Sequence, residues 1–347
     1  MDLAAWHQFL RDSYDHPDSI VIQDDTVIHF SDPALENQAL ASGTVVCDLS
    51  HLGLLQLDGA DTVTFLQGQV TNDVRLLNGG NAHYTGYCNP KGRLLALFLA
   101  FSQNGQINLQ LPKALVTPIM KRLKMFVMRS KVDIQDVSDS TYKFGLRGPK
   151  ATQILSAIFG KIPQQDFELV TSENNAILKL PGTARYEIFT QADNAQHLWN
   201  TLKKDATPVG ANAWEWLEIQ AGIPQVNAQT QEEFVPQMLN LDAFDAINYK
   251  KGCYTGQEIV ARTHYLGKIK RRTQLAHLVS DQKPNLNEDV VDANGQAVGK
   301  IVRCAPALES GHDVLVECRL ENMGQDMIFW NNVALSFKSL PYSLEEK

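Results

Sequence analysis

From about residue 45 the chain alternates short apolar runs with turn residues. Residues 45–49 and 52–57 read as strands, the second ending at Asp58-Gly59. Residues 61–70 read as a helix with Asp61 as its cap. Residues 94–101 and 107–111 predict two strands joined through Gln103-Asn104-Gly105, a hairpin signal. Residues 113–125 are amphipathic at helical spacing despite Pro118, with Lys121, Arg122 and Lys124 on the polar side. A solvated face and a partner surface both account for those charges. Residues 131–137 and 142–146 resume strands, and Gly148-Pro149 opens a helix over 150–159. Strands at 176–180 and 186–190 are followed by helices at 195–203 and 214–221, the last stopped by Gly222 and Pro224. A further helix, 3–11, opens the chain. Residues 227–248 lack a period and are expected to cross between domains. Beyond Arg272, strands at 273–279, 297–303, 313–318 and 333–337 alternate with Pro, Gly and Asn turns. That pattern predicts a small antiparallel barrel or sandwich. The fold class is therefore α+β with an all-β end.

The length of 347 residues predicts two or three domains, and 44% hydrophobic content supports a large core. A net charge of −8 argues against a broad nucleic-acid-gripping surface but leaves room for a local basic face. Cys47, Cys88, Cys253, Cys304 and Cys318 are odd in number, with no Cys-x-x-Cys spacing. This predicts a reducing compartment, and so the cytoplasm. Residues 1–20 mix Asp, His, Arg and Trp and do not read as a signal peptide. The longest apolar run, 94–101, is too short to span a bilayer, so no membrane partner is expected. Phosphate-cradling and dinucleotide glycine motifs are absent, and the nine histidines are scattered, so no metal site is predicted.

The most informative stretch is Lys251-Gly252-Cys253-Tyr254-Thr255-Gly256-Gln257-Glu258. It sets a thiol beside two glycines, directly after Lys250 and Lys251. Nearby positive charge favours a thiolate, and the glycines leave the sulfur exposed. Thr255 and Glu258 have the spacing of a capping box, which would put Cys253 just outside a helix N-terminus. The alternative is a small buried cysteine in an ordinary turn.

This stretch resembles the signature of the YgfZ family, folate-binding relatives of the glycine-cleavage T protein. Further matching segments lie in the family's order over about residues 45–305. They are residues 65–74 (Phe65 to Val74), 88–93 (Cys88 to Arg93), 145–149 (Gly145 to Pro149), 221–224 (Ala221 to Pro224) and 234–237 (Phe234 to Gln237). The resemblance implies three domains round a central channel that holds folate. Two would be interleaved α+β domains, residues 1–50 with 140–250 and residues 51–139; the third would be the signature helix and β-barrel, 251–347. It implies tetrahydrofolate or a derivative as cofactor, contacted by Trp214 and by position 220. It also implies an accessory role toward iron–sulfur enzymes or assembly factors, and through them in tRNA modification. Direct tRNA binding stays open. In that picture Cys253 supplies a reactive thiolate and Lys251 stabilises it.

Three departures from the family pattern qualify this. Gln220 stands where T proteins and many family members have Glu, so a charged acceptor for the pterin is lost. Leu52 stands near a position where some members have a folate-contacting Trp. Leu95 and Ala96 occupy the place of an Asp used in aminomethyl chemistry, and an apolar pair cannot act as acid or base. Weakened folate binding and no aminomethyl transfer are the expectations. The alternatives are a folate-dependent one-carbon transferase and an interaction adaptor with a vestigial folate pocket. A last feature is the basic cluster Lys268, Lys270, Arg271 and Arg272, read as a solvated turn or as a contact for a folate polyglutamate tail, an acidic partner or RNA phosphates.

Overall fold

The computed structural model describes residues 2–172, 174–324 and 327–344. The chain divides into two compact units, each assembled from separated stretches. The first comprises Met1–Thr62, Leu77–Ala82 and Leu99–Trp214; the second comprises Val63–Leu76, His83–Phe98 and Glu215–Lys347.

The first unit contains a six-stranded sheet in the order Leu169–Thr171, Asn175–Leu180, Arg185–Gln191, Thr141–Arg147, Val45–Asp48 and Thr207–Val209. All neighbours are antiparallel except the last pair, which is parallel. Helices Leu3–Asp12, Ala151–Phe159 and Ala192–Leu202 supply Trp6, Leu10, Ile154, Leu155, Leu198 and Trp199 to the core over this sheet. Removing such side chains from water is the main stabilising term. The first helix starts at Asp2, whose side chain accepts from the Ala5 N–H at 2.8 Å.

Strands Leu52–Asp58, Gln106–Pro112 and Asp133–Asp136, with the end of Leu94–Gln103, make an antiparallel sheet in the same unit. The predicted hairpin is present. Asn104 and Gly105 take φ of +53° and +81° between the paired Gln103 and Gln106, the left-handed conformations that a two-residue turn requires. Helix Lys113–Val127 buries Leu115, Val116, Ile119 and Leu123 on one side.

The second unit ends in a seven-stranded antiparallel sheet. Its order is Val333–Ala334, Phe329–Trp330, Asp289–Val291, Ala297–Pro306, His312–Arg319, Arg271–Leu278 and Ser336–Lys338. The two outermost strands are separated in the chain by Leu335 alone. A flat sheet of this order is impossible, so it curls until its edges nearly meet, and Val290, Val298, Ile301, Val314, Val316 and Trp330 fill the interior. The all-β end read from the sequence is therefore a nearly closed barrel. Strand Ala82–Cys88 and helix Pro33–Ser42 were not predicted, and the helix expected at 61–70 is confined to Thr62–Gln67.

Candidate functional site

Every residue of the cysteine signature lies in the second unit, and Lys251 fixes its position. This side chain is 5% exposed. Its ammonium donates to the carbonyls of Gln67 at 2.8 Å and Asn72 at 2.9 Å, and to that of Val70. A lysine has three N–H donors, and all three are used. The ring of Tyr254 covers the ammonium, with Nζ 5.0 Å from the centroid. Burial pulls the Lys251 pKa down to about 8, only partly countered by the nearby Asp73 carboxylate. The ammonium thus holds the signature onto the segment Gln67–Asn72. Its donors are spent on carbonyls, and none is left over for the cysteine.

The segment that receives Lys251 is itself braced. Asp73 accepts from Arg75 Nε at 2.9 Å and from Gln67 Nε2 at 3.0 Å, and pairs with Arg75 Nη2. Hydrogen bonding from Arg75 holds the Asp73 carboxyl at about 2. Asn72 Nδ2 bonds the carbonyls of Tyr84 and Asp245 at 3.1 and 2.8 Å. These residues fell inside the Phe65–Val74 motif, but nothing local in the sequence assigned them this support.

The glycines of the signature play different parts. Gly256 has φ of +85°, and a Cβ there would stand 2.5 Å from Asn89 O and 2.9 Å from Gly92 Cα. Gly92 has φ of +69°, and its Cβ would meet Ile259 Cβ at 2.8 Å. The signature therefore packs directly on the Cys88–Arg93 turn, which Asn89 Oδ1 organises by accepting the N–H groups of Lys91 and Arg93. Gly252, by contrast, has no atom near where its Cβ would be.

Cys253 is exposed, whereas Cys47, Cys88, Cys304 and Cys318 are buried. Burial pushes the thiols of Cys88, Cys304 and Cys318 up to about 12, and that of Cys47 well up too. Cys253 is thus the one of the five cysteines whose residue is open to solvent.

The expected capping box does not form. The helix after the signature spans Gln257–Tyr265, its cap is Gly256, and no side chain bonds the cap. The left-handed φ of Gly256 starts the helix one residue late, leaving the Thr255 N–H to donate to Gly68 O and Glu258 exposed. Gln257 is the first helical residue and half-buried. The helix is held instead from the Phe234–Gln237 motif, through Gln237 Nε2 to Val260 O at 2.8 Å.

The residues expected to hold folate are placed as follows. Trp214, in the first unit, is 2% exposed. Its ring lies against Gly145, where a Cβ would be 2.4 Å from the indole, and the Arg185 guanidinium lies 5.9 Å from its centroid. Its Nε1 is buried without a hydrogen-bond partner among the described residues. Gln220, in the second unit, donates Nε2 to Asp313 at 2.9 Å. Each taken in its own unit, the Trp214 ring is enclosed and the Gln220 amide is committed to Asp313, so neither offers folate a free contact as it stands. Leu52, Leu95 and Ala96 are buried apolar residues. In the basic cluster, Arg271 pairs with Glu317 and Arg272 with Asp242, both inside the second unit, while Lys268 and Lys270 stay exposed. Among the described residues, no group of three or more His, Cys, Asp or Glu is placed to hold a metal ion, and no helix is long and apolar enough to cross a membrane.

This architecture defines a protein class. The GCVT N-terminal domain family matches residues 27–250. The glycine cleavage system aminomethyltransferase T from Bartonella henselae superposes with a TM-score of 0.71 over 89% of each chain, at 16% identity, a likeness of fold alone. The tRNA-modifying protein YgfZ of Escherichia coli O157:H7 (strain EC4115 / EHEC) is 31% identical over 305 residues, 86% of this chain and 93% of its own. The protein of the same name from Hamiltonella defensa subsp. Acyrthosiphon pisum (strain 5AT) is 34% identical over 226 residues, 64% of this chain and 67% of its own. The chain belongs to the YgfZ family.

Proposed function

We propose that this protein is a folate-linked accessory factor in tRNA modification, acting through the Cys253 thiol on behalf of iron–sulfur enzymes or assembly factors. The tRNA link is supported by its relatives, which are tRNA-modifying proteins by name, and the folate link by the GCVT domain. The observation that carries the reading is the position of Cys253. It is the exposed member of five cysteines, on a loop whose backbone is anchored by a buried lysine and a pair of packed glycines. Rigid support under an exposed nucleophile is what a functional thiol needs, and a structural cysteine has no use for it. Lys251 acts as a positioning residue, with Gly256 and Tyr254 completing the mount. The buried apolar pair Leu95 and Ala96 weighs against aminomethyl transfer.

Complementation tests this reading. In cells lacking the protein, Cys253→Ala should fail to restore the modification state of tRNA while its melting temperature matches wild type. Full restoration by the variant would remove the thiol from the mechanism. The enclosed Trp214 ring favours a second reading, an adaptor with a vestigial folate pocket. Calorimetry with tetrahydrofolate separates the two: micromolar binding supports the folate-linked factor, and no binding supports the adaptor.

A further inference from the structure

Residues 113–132 contain Lys113, Lys121, Arg122, Lys124, Arg129 and Lys131 and no Asp or Glu, in a chain whose net charge is −8. They form helix Lys113–Val127 and the turn that follows it. The buried stripe Leu115, Val116, Ile119 and Leu123 fastens the helix, which leaves Lys121, Lys124 and Met125 on its outer side. Lys113 pairs with Asp139 at 3.2 Å. Among the described residues the other five cations form no ion pair. Solvated lysines alone need no explanation. The apolar side chains among them do: Met125 is 68% exposed, Phe126 43% and Met128 87%.

We propose that this face of the first unit is an RNA-contacting surface. Lys121, Lys124, Arg129 and Lys131 would take the phosphate backbone, and Phe126 would stack a base, with Met125 and Met128 beside it. Residues three apart on a helix sit about 5–6 Å from each other, so Lys121 and Lys124 present two charges side by side. Unpaired cations release counterions when they meet phosphates, and an aromatic ring among them adds a contact that any base can make. An anionic lipid surface or an acidic protein would also meet the charge. The cations outnumber the apolar groups, however, and the one aromatic lies in sequence between Lys124 and Arg129, the combination that single-stranded RNA uses. The choice of tRNA as the RNA rests on the functional reading above; the surface itself does not involve Cys253.

The test is fluorescence anisotropy of the full chain with labelled total tRNA at two salt concentrations, about 50 and 200 mM. Wild type should bind, and more weakly at high salt. The Lys121→Glu, Lys124→Glu, Arg129→Glu variant should lose at least about tenfold in affinity and about three from the slope of log K against log salt. Phe126→Ala should lose about fivefold or more with the slope unchanged. Lys121→Gln with Lys124→Gln, both at exposed positions, should show the same direction and guards against misfolding of the charge-reversal variant. Absent tRNA binding, or equal binding by all variants, overturns the proposal. Flotation with phosphatidylglycerol vesicles but no tRNA binding also overturns it, assigning the face to lipid. If Cys253→Ala fails complementation while these variants bind tRNA like wild type, the surface is refuted and the functional reading survives. If they lose tRNA while Cys253→Ala complements fully, the reverse holds.

Discussion

Gln220 donates its side-chain amide to Asp313 Oδ2 at 2.9 Å, so this amide serves an internal carboxylate. Asp313 is 2% exposed. It also accepts from Trp216 Nε1 at 2.8 Å and Lys338 Nζ at 2.9 Å, and lies 2.9 Å from His277 Nδ1. Burial alone would raise its pKa; the bonds from Lys338, His277 and Trp216 outweigh it and hold the carboxyl below its ordinary value.

A carboxylate at position 220 should therefore harm the fold. Gln220→Glu sets two carboxylates against each other and should cost about 1–3 kcal/mol at pH 7. The penalty should shrink toward pH 4, where one shared proton removes the repulsion. Urea denaturation at the two pH values checks this. An unchanged midpoint at pH 7, together with tighter tetrahydrofolate binding, would show instead that the introduced carboxylate turns away from Asp313 and toward ligand.

Lys251→Met should cost about 2–4 kcal/mol, because three carbonyls lose their donor at once. The wild type should also show a particular pH dependence. An ammonium with a folded pKa near 8, against 10.5 unfolded, binds fewer protons in the folded state across that window. The cost of burying it is fully present below about pH 8 and is relieved as pH rises toward 10.5. Stability measured over that range should rise through this group in wild type and lose that component in Lys251→Met; identical profiles would contradict the assignment.

The three glycines of the mount should respond unequally. Gly256→Ala and Gly92→Ala each combine a positive φ with a Cβ in contact closer than 3.0 Å, and each should cost about 2 kcal/mol or more. Because the two positions abut, the double variant should cost less than the sum. Gly252→Ala should be nearly silent, since its Cβ meets nothing. Thermal melts of the four variants decide the ranking.

Thiol accessibility gives a direct check. A chromogenic disulfide reagent should modify Cys253 rapidly in the native protein, while Cys47, Cys88, Cys304 and Cys318 react only in denaturant. Peptide mass mapping after a short exposure would identify the residue. Fast labelling of a second cysteine would mean that one of the buried sites opens readily.

Local signals carried most of the elements. The Asn104-Gly105 turn declares itself because its φ values suit those residues, and the strands of the barrel alternate visibly with turn residues. Strand Ala82–Cys88 escaped because it is buried on both faces apart from His83, so no alternation marks it. Within the site, the exposure of Cys253 was legible from its glycines. The failed capping box was not, since Thr255 and Glu258 have the right spacing and only the contact of Gly256 with Asn89 and Gly92 shifts the start. Arg271 and Arg272 read as surface charge because their partners, Glu317 and Asp242, lie far off in the chain. The partners of Lys251 and Gln220 were hidden for the same reason: they too lie far off in the chain.

The octapeptide is consequently not portable. Grafted into another scaffold it would bring the cysteine without an address, because the oxygens that locate Lys251 come from residues 179 to 184 positions upstream. A sequence carrying the motif but lacking a segment equivalent to Gln67–Asn72 would be a lookalike, and searches for working homologues should require both halves.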